Sequence, residues 1–501
     1  MQSSKYIIII TVLLLASDVF SQLPIHKQWE NIYGTADMDN PDKLFDLGNG
    51  NYAASGFVNG GQNREDYGHW FGFDQTGNEI ISGGTNVTIE DLVLSANKEY
   101  VFGYRGVCRQ NFKKNFKDFN LTILDSTGAI KTNCFGTYGD EYLMRFMNLN
   151  SNGYLLLGDK DSNDPDSLYS QSKGSYDAWF VKTDNEGLLE WEMSIGGSNY
   201  DGVAYANQLD DSTVIAAIYS YSNDSDFAFL ENENAERFLV FVEINVNGKI
   251  KYLSQLLFTD LSQQTTVSSN SLIIGDYFYL AGPVGFGAGT NGELIKINYK
   301  DGTVAYKKTY GGSDFDGFFN IYGRENGNLV LGGKSKSTDG DLQGKNSPFN
   351  TWIMEVDTAG NIVDQIFPLG RGTAGSFYDF LLTDEEEIIV LSANGSKENF
   401  PEHYGPFDHE IPTDFYIYKL GYNPVSSISD KEGFQGSSAY PNPNNTGILN
   451  TNLKANYSLL DIQGRTLKSF VQSDALDISD VQSGTYLLKY ESGATVRIVV
   501  E

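Results

Sequence analysis

The sequence predicts an all-β protein, a seven-bladed β-propeller followed by a small C-terminal β-sandwich. Three observations predict it. A strand–turn–strand pattern closing on glycine recurs through the body at spacings of 51 to 61 residues. Tyr and Phe number 31 each beside 53 Gly; aromatics suit pleated surfaces and glycines suit tight turns. A run of prolines at residues 441 and 443 then separates a shorter set of strands from the rest.

The chain opens MQSSKYIIIITVLLLASDVFSQ, with Lys5 ahead of an apolar run from Tyr6 to Ala16. That run is shorter than the roughly 20 residues of a membrane-spanning helix. Val19 and Ser21 are small enough for the −3 and −1 positions of a cleavage site. A secretory signal peptide over residues 1–21, cut between Ser21 and Gln22, is expected. No later apolar run is long enough to span a bilayer, so no transmembrane segment is expected after its removal.

Residues 22–421 carry the repeat. Its copies are HWFGFDQTGNEI, FNLTILDSTGAI, AWFVKTDNEGLLEW, FVEINVNGKI, ELIKINYKDGTVAY and TWIMEVDTAGNIVDQ, with turn glycines at Gly77, Gly128, Gly187, Gly248, Gly302 and Gly360. Each reads as a hairpin whose glycine supplies a positive φ. After most of them a glycine signature follows, as in IGGSNYDG from Ile195 and YGGSDFDG from Tyr310, and then two more strands. Units of four strands cannot bury both faces alone, so they must stack, and a closed ring leaves no long exposed edge. A seventh copy, DFYIYKL from Asp414 to Leu420, lacks its outgoing strand. KQWENIYG, from Lys27 to Gly34, has the form of that strand with no hairpin before it. The expectation is that it completes the last blade and closes the ring, with Trp29 beside Tyr416. The fourth copy is degenerate, with LLFTDLSQQ where the glycine signature belongs, which leaves counts of six or eight open.

The body resembles a broad group of bacterial propeller-type repeat proteins with the pattern Asp-x-Trp-x-x-Lys-x-Asp-x-x-Gly, then Trp and Tyr-Gly-Gly. The nearest stretch is DAWFVKTDNEGLLEWEMSIGG, Asp177 to Gly197, with Ile195 in place of the Tyr. The resemblance implies a scaffold rather than an activity.

Residues 422–437 are polar, with Pro, Ser and Gly, and read as a linker. Pro441 and Pro443 then fix φ and remove N–H donors, which suits a domain boundary. Residues 438–501 follow as short strands: a hairpin turning at Gly464 and another turning near Gly493, in which Tyr486, Leu488 and Tyr490 alternate against Val496, Ile498 and Val500. This tail resembles the C-terminal sorting domain of type IX secretion cargo. The matching pieces are Tyr440-Pro441-Asn442-Pro443, the strand–turn with Asp461 and Gly464, the segment with Gly484 and Tyr486, and the terminal VRIVVE with Arg497. Members often carry lysines near the end, whereas this chain has Arg497 and closes on Glu501. The resemblance implies the type IX secretion machinery as a partner and a protein released outside the cell or attached to its outer surface.

The formal charge of −30 repels phosphate backbones and anionic membranes, so nucleic acid is excluded as an expected partner. Export exposes Cys108 and Cys134, the only cysteines, to oxidising conditions in which they can form a disulfide; two separate core residues are the alternative. Enzyme signatures are missing: there is no Gly-x-Ser-x-Gly elbow and no phosphate-binding Gly-x4-Gly-Lys. Gly287, Gly289 and Gly292 fit Gly-x-Gly-x-x-Gly but lead into a strand, where no helix N-terminus awaits a pyrophosphate. The four histidines, with His403 and His409 six apart, read as loop residues rather than metal ligands. No catalytic residue is assigned and no cofactor is expected, calcium being the one left open. Asp164 with Asp166, and Asp339 with Asp341, have alternating oxygens that suit it, but Asx turns account for the same residues. Asp201 and Asp316 read as turn caps between blades. Two functions remain, a binding or adhesion scaffold for a glycan or protein ligand, and a secreted carbohydrate-active enzyme, glycosidase or lyase, with carboxylates at the ring mouth. The binding reading is preferred because no carboxylate pair stands out.

Overall fold

A computed structural model of the chain describes residues 25–34, 38–59, 67–85, 89–107, 117–125, 127–128, 130–137, 139–149, 153–161, 169–230, 237–257, 271–285, 287–343, 345, 350–368, 377–394, 414–421, 439–440, 447–460, 465–490 and 495–500. The chain divides into two compact units, Met1–Pro424 and Val425–Glu501. The cleavage site Ser21–Gln22 and the linker 422–437 lie outside the described residues.

The first unit is built from strands in sets of four. Strand β1 (His26–Tyr33) comes first. Sheet 1 holds β2 (Met38–Gly48), β3 (Asn51–Asn59), β4 (Tyr67–Asp74) and β5 (Glu79–Thr85); sheet 2 holds β6 (Ile89–Leu94), β7 (Tyr100–Val107), β8 (Lys117–Leu124) and β9 (Ile130–Phe135). Sheet 3 holds β10 (Glu141–Asn148), β11 (Tyr154–Lys160), β12 (Asp177–Thr183) and β13 (Leu189–Ile195); sheet 4 holds β14 (Asp201–Asp210), β15 (Thr213–Ser220), β16 (Phe238–Asn245) and β17 (Ile250–Leu257). Sheet 5 holds β18 (Ser271–Ile274), β19 (Tyr277–Val284), β20 (Asn291–Asn298) and β21 (Val304–Tyr310); sheet 6 holds β22 (Asp316–Gly323), β23 (Leu329–Ser335), β24 (Asn350–Val356) and β25 (Ile362–Ile366). Sheet 7 runs β26 (Phe377–Leu382), β27 (Ile388–Asn394), β28 (Asp414–Gly421) and then β1. The first strand of each set touches the first strand of the next, from β2 through β6, β10, β14, β18 and β22 to β26, and β26 returns to β2. The sheets therefore close a ring, as a propeller requires. The degenerate fourth copy precedes β18, which has only four residues.

The core sits between the sheets. Among the described residues each of seven buried apolar clusters joins two neighbouring sheets, as when Leu157, Phe180 and Ile195 of sheet 3 meet Val203, Ala216 and Val240 of sheet 4. One such cluster brings Leu381, Ile389 and Phe415 of sheet 7 against Leu44, Ala54 and Phe71 of sheet 1. Burial of apolar area between neighbours is what holds stacked repeats together.

The periodic glycines have a second purpose beyond the turn. All six have φ between +73° and +82°. At several of them the outermost strand of the preceding sheet also lies where a side chain would be, and donates to a turn carbonyl. Asn31 of β1 donates to Gly77 O (2.6 Å), Asn133 of β9 to Gly187 O (2.9 Å) and Tyr310 of β21 to Gly360 O (2.7 Å). Trp191 of β13 and Ser254 of β17 likewise donate to Val246 O (2.8 Å) and Tyr299 O (2.7 Å). Five of the six hairpin turns are thus clasped by a neighbour; at Gly128 a Cβ would meet nothing within 4 Å.

Strand β1 completes sheet 7, pairing antiparallel with β28, but its register differs from the expected one. Trp29 stands opposite Lys419, and Tyr416 stands opposite Ile32. A bulge between Lys27 and Trp29 shifts the pairing, and the Trp29 indole is taken by the first sheet's turn, donating to Gln75 O at 2.9 Å. The Tyr416 hydroxyl meets Lys27 Nζ at 2.8 Å and donates to the Glu30 carboxylate.

The second unit contains β29 (Ala439–Tyr440), β30 (Ile448–Leu460), β31 (Thr466–Asp477), β32 (Gly484–Tyr490) and β33 (Thr495–Val500). They form one hydrogen-bonded five-stranded sheet rather than two separately bonded ones. The reason is the 13-residue β30, which pairs with β31 on one side and with both β29 and β32 on the other. Leu449, Tyr457, Leu459, Leu476, Ile478, Leu488 and Val500 make its core. The expected alternation holds: Leu488 pairs with Val496 and Tyr486 with Ile498.

Candidate functional site

Every innermost strand of the ring lines one cavity of about 640 Å³. Its walls come from Lys43 to Asp46 of β2, Glu90 to Val93 of β6, Tyr142 to Arg145 of β10, Val203 to Ala206 of β14, Ser271 of β18, Asn320 and Tyr322 of β22, and Asp379, Leu381 and Leu382 of β26; Arg105 of β7 adds to them. Seven sheets contribute to it, so the cavity lies on the ring axis. Tyr142 (38% exposed) and Met144 (43%) are exposed members of its lining.

The polar groups there are held in place. Lys43 Nζ lies 2.8 Å from Glu90 Oε2 and donates also to Glu90 O at 3.0 Å. The Asp379 carboxylate accepts from Leu44 N–H (2.9 Å), Phe380 N–H (2.8 Å) and Asn320 Nδ2 (2.5 Å). Burial pushes its pKa up to about 6 against those hydrogen bonds. Burial also raises Asp91, with Arg145 opposing. The Arg105 guanidinium stacks 3.6 Å from the Tyr142 ring centre and donates to Glu141 O at 2.8 Å.

A row of tyrosines begins at Tyr142 in the cavity lining. Ring centres are 5.8 Å apart for Tyr142 and Tyr176, 5.2 Å for Tyr176 and Tyr200, and 5.4 Å for Tyr200 and Tyr219. Asp159, buried at the end of β11, accepts from the Tyr200 hydroxyl (2.6 Å) and from Val203 N–H (3.0 Å), and the Tyr219 hydroxyl donates to that of Tyr200 (2.9 Å). Burial pushes Asp159 up to about 6.

Two matching carboxylate cages sit at the passages from sheet 3 to sheet 4 and from sheet 5 to sheet 6. Asp201 accepts from Gly197 N–H (2.7 Å), Ser222 Oγ (2.7 Å) and Ser220 Oγ (2.5 Å). Asp316 accepts from Gly312 N–H (2.7 Å), Ser337 Oγ (2.7 Å) and Ser335 Oγ (2.5 Å). Both are fully buried and cap the passage from one blade to the next, as the sequence suggests. The acidic loops act in the same way. Asp339 and Asp341 accept from Ser313 N–H (2.8 Å) and Gly311 N–H (3.0 Å), and Asp224 and Asp226 accept from Ser198 N–H (2.8 Å) and Gly196 N–H (3.0 Å). Their oxygens serve backbone N–H groups 26 to 30 residues away in sequence, in place of the local Asx turns expected. Among the described residues no group of three or more His, Cys, Asp or Glu side chains could hold a metal ion.

Several expected residues lie outside the described ones: Asp164, Asp166, His403, His409, Cys108, Pro441, Asn442, Pro443, Asp461 and Gly464. Cys134 is half-buried on β9. Gly287 and Gly289 turn at positive φ ahead of β20, and Gly292 lies in that strand. Tyr440 pairs with Asn450, Gly484 opens β32 opposite Val500, the Tyr486 hydroxyl donates to Gln482 O at 2.7 Å, and Arg497 pairs with Leu487. Sequence reasoning missed the cavity residues, because each comes from a different innermost strand and no local motif marks it.

Residues 438–501 match the family described as the secretion system C-terminal sorting domain. That domain marks the chain as secreted and carried to the outer cell surface. No curated protein matches the sequence. Solved structures similar to it include the β-propeller domain of the Trilobed protease from Pyrococcus furiosus, at 10% identity and a TM-score of 0.42 over 80% of this chain and 100% of that one. Another is Sqt1 from Chaetomium thermophilum, at 12% identity and a TM-score of 0.37 over 71% of this chain and 93% of that one. Among the described residues no helix is long and apolar enough to cross a membrane.

Proposed function

We propose that this is an exported propeller that binds an extracellular ligand, a glycan or a protein, on the ring face where the axial cavity opens, and that the type IX machinery delivers it there through its C-terminal domain. The observation that carries the reading is the cavity of about 640 Å³ with polar groups fixed by their neighbours. A concave site of that size with a few oriented polar groups is what small-molecule and glycan-end recognition needs. A glycosidase would need one carboxyl free to give a proton and a second free to attack or activate water. Of the four cavity carboxylates, Glu90 is paired with Lys43, Asp379 is engaged by three N–H donors, and Asp46 and Asp91 accept from the Gly48 and Leu92 N–H groups, which favours binding over hydrolysis. The Cys108–Cys134 disulfide belongs to the same proposal, since export supplies the oxidising compartment.

The test is a screen of the purified protein against polysaccharides and surface proteins, with reducing ends measured in parallel. Retention of a ligand without new reducing ends is expected. New reducing ends would replace the binding reading with a hydrolytic one.

A further inference from the structure

We infer that the ligand is a neutral glycan chain, whose terminal sugar enters the axial cavity while the following sugars lie over the tyrosine row. This rests on the binding reading above and narrows it to one chemistry.

Charge selects against an ion. The cavity lining holds three cations, Lys43, Arg105 and Arg145, and four carboxylates, Asp46, Glu90, Asp91 and Asp379, in a protein of net charge −30. The site is nearly balanced: Lys43 is paired with Glu90, Arg145 acts on Asp91, and Arg105 is held by Asp140 (3.8 Å), a carbonyl and the Tyr142 face. What remains for a guest is a set of oriented dipoles, suited to a ligand rich in hydroxyls that both donates and accepts. A polyanionic chain would meet the field of the whole protein on approach.

The row points to a chain rather than a lone sugar. Four rings follow one another from Tyr142 to Tyr219 at steps of 5.2–5.8 Å. Pyranose rings present an apolar C–H face to an aromatic and hydroxyls at their edges, and tyrosine offers both surfaces. The Asp159 carboxylate fixes the Tyr200 and Tyr219 hydroxyls, so the row is ordered before anything binds. Beside it the inner strand carries Gly202, whose lack of a side chain leaves room for that carboxylate, since a Cβ there would meet Asp159 Oδ1 at 2.7 Å.

The experiment is calorimetric titration of the whole purified protein with cellohexaose, maltohexaose and mannohexaose, and with an oligogalacturonate of the same length as the anionic comparison. Met144→Trp narrows the cavity from an exposed position, and Tyr142→Ala removes the first ring of the row. At least one neutral hexaose should bind, the galacturonate at least tenfold more weakly, and both variants should lose at least tenfold in affinity with an unchanged melting temperature. If Tyr142→Ala melts early, Met144→Trp alone decides the matter. Preference for the galacturonate, or neutral binding unmoved by Met144→Trp, would overturn the inference while leaving a ligand on the ring. Retention of a protein ligand with no glycan bound would do the same. Failure to retain any ligand would overturn the binding reading and the inference together.

Discussion

Ile32 stands opposite Tyr416 across the antiparallel pair that joins β1 to β28. The two residues come from opposite ends of the propeller sequence, so the last sheet cannot be complete until those ends meet. Local hairpins can form early, but this contact must overcome the closure entropy of nearly the full domain. The apolar cluster shared by sheets 7 and 1 and the clasp of Asn31 on Gly77 are the local gains that offset it.

Asp316→Ala should lower stability by about 3 kcal/mol or more, since it strands Gly312 N–H and two serine hydroxyls in a buried site at about 1–3 kcal/mol each. Asp316→Asn should cost less, because an acceptor oxygen remains. Denaturant midpoints of the three proteins check this, and a shift for Asp316→Ala no larger than that of a surface substitution would refute the cage.

Gly77 and Gly128 separate turn strain from blade packing. Both have φ of +82°, so an alanine at either should cost about 1–2 kcal/mol through the left-handed backbone alone. A Cβ at Gly128 meets nothing within 4 Å, whereas at Gly77 it would come within 2.6 Å of Asn31 Nδ2 and 2.9 Å of the Trp29 ring. Gly77→Ala should therefore be clearly the more destabilising of the two in thermal melts. Equal losses would mean that the clasp adds nothing.

The buried carboxyl of Asp159 sets a pH signature. Its pKa is raised to about 6 in the folded protein, above the 3.8 of an exposed Asp. The folded state then holds its proton more tightly, so this group's stabilising contribution is full below pH 4 and is lost as pH rises through about 6. Wild type measured against Asp159→Asn should lose on the order of 2–3 kcal/mol of relative stability between pH 4 and pH 7. A difference that stays flat with pH would contradict the raised pKa.

Deleting Tyr440–Glu501 removes the part of the chain that matches the sorting family. The truncated protein should accumulate inside the cell envelope, as read by fractionation and immunoblotting. Normal appearance of the truncation outside the cell would remove the sorting role.

Much of this architecture is legible in the sequence because it is periodic. The turn glycines, the split last blade and the caps Asp201 and Asp316 all sit inside repeated motifs, so spacing alone places them. The register of β1 was not legible: a bulge and the pull of the first sheet's turn on Trp29 depend on contacts distant in sequence. The cavity was hidden for a related reason. Tyr142, Arg145 and Asp379 meet only because separate innermost strands converge on one axis, and each looks locally like an ordinary strand residue.

Ring closure by β1 is tested most directly by amide hydrogen exchange, read by mass spectrometry on peptides covering Trp29–Tyr33 and Phe415–Leu420. The pairing in sheet 7 predicts that both segments are strongly protected and open together on mild destabilisation. Rapid exchange in Trp29–Tyr33 while Phe415–Leu420 stays protected would contradict it.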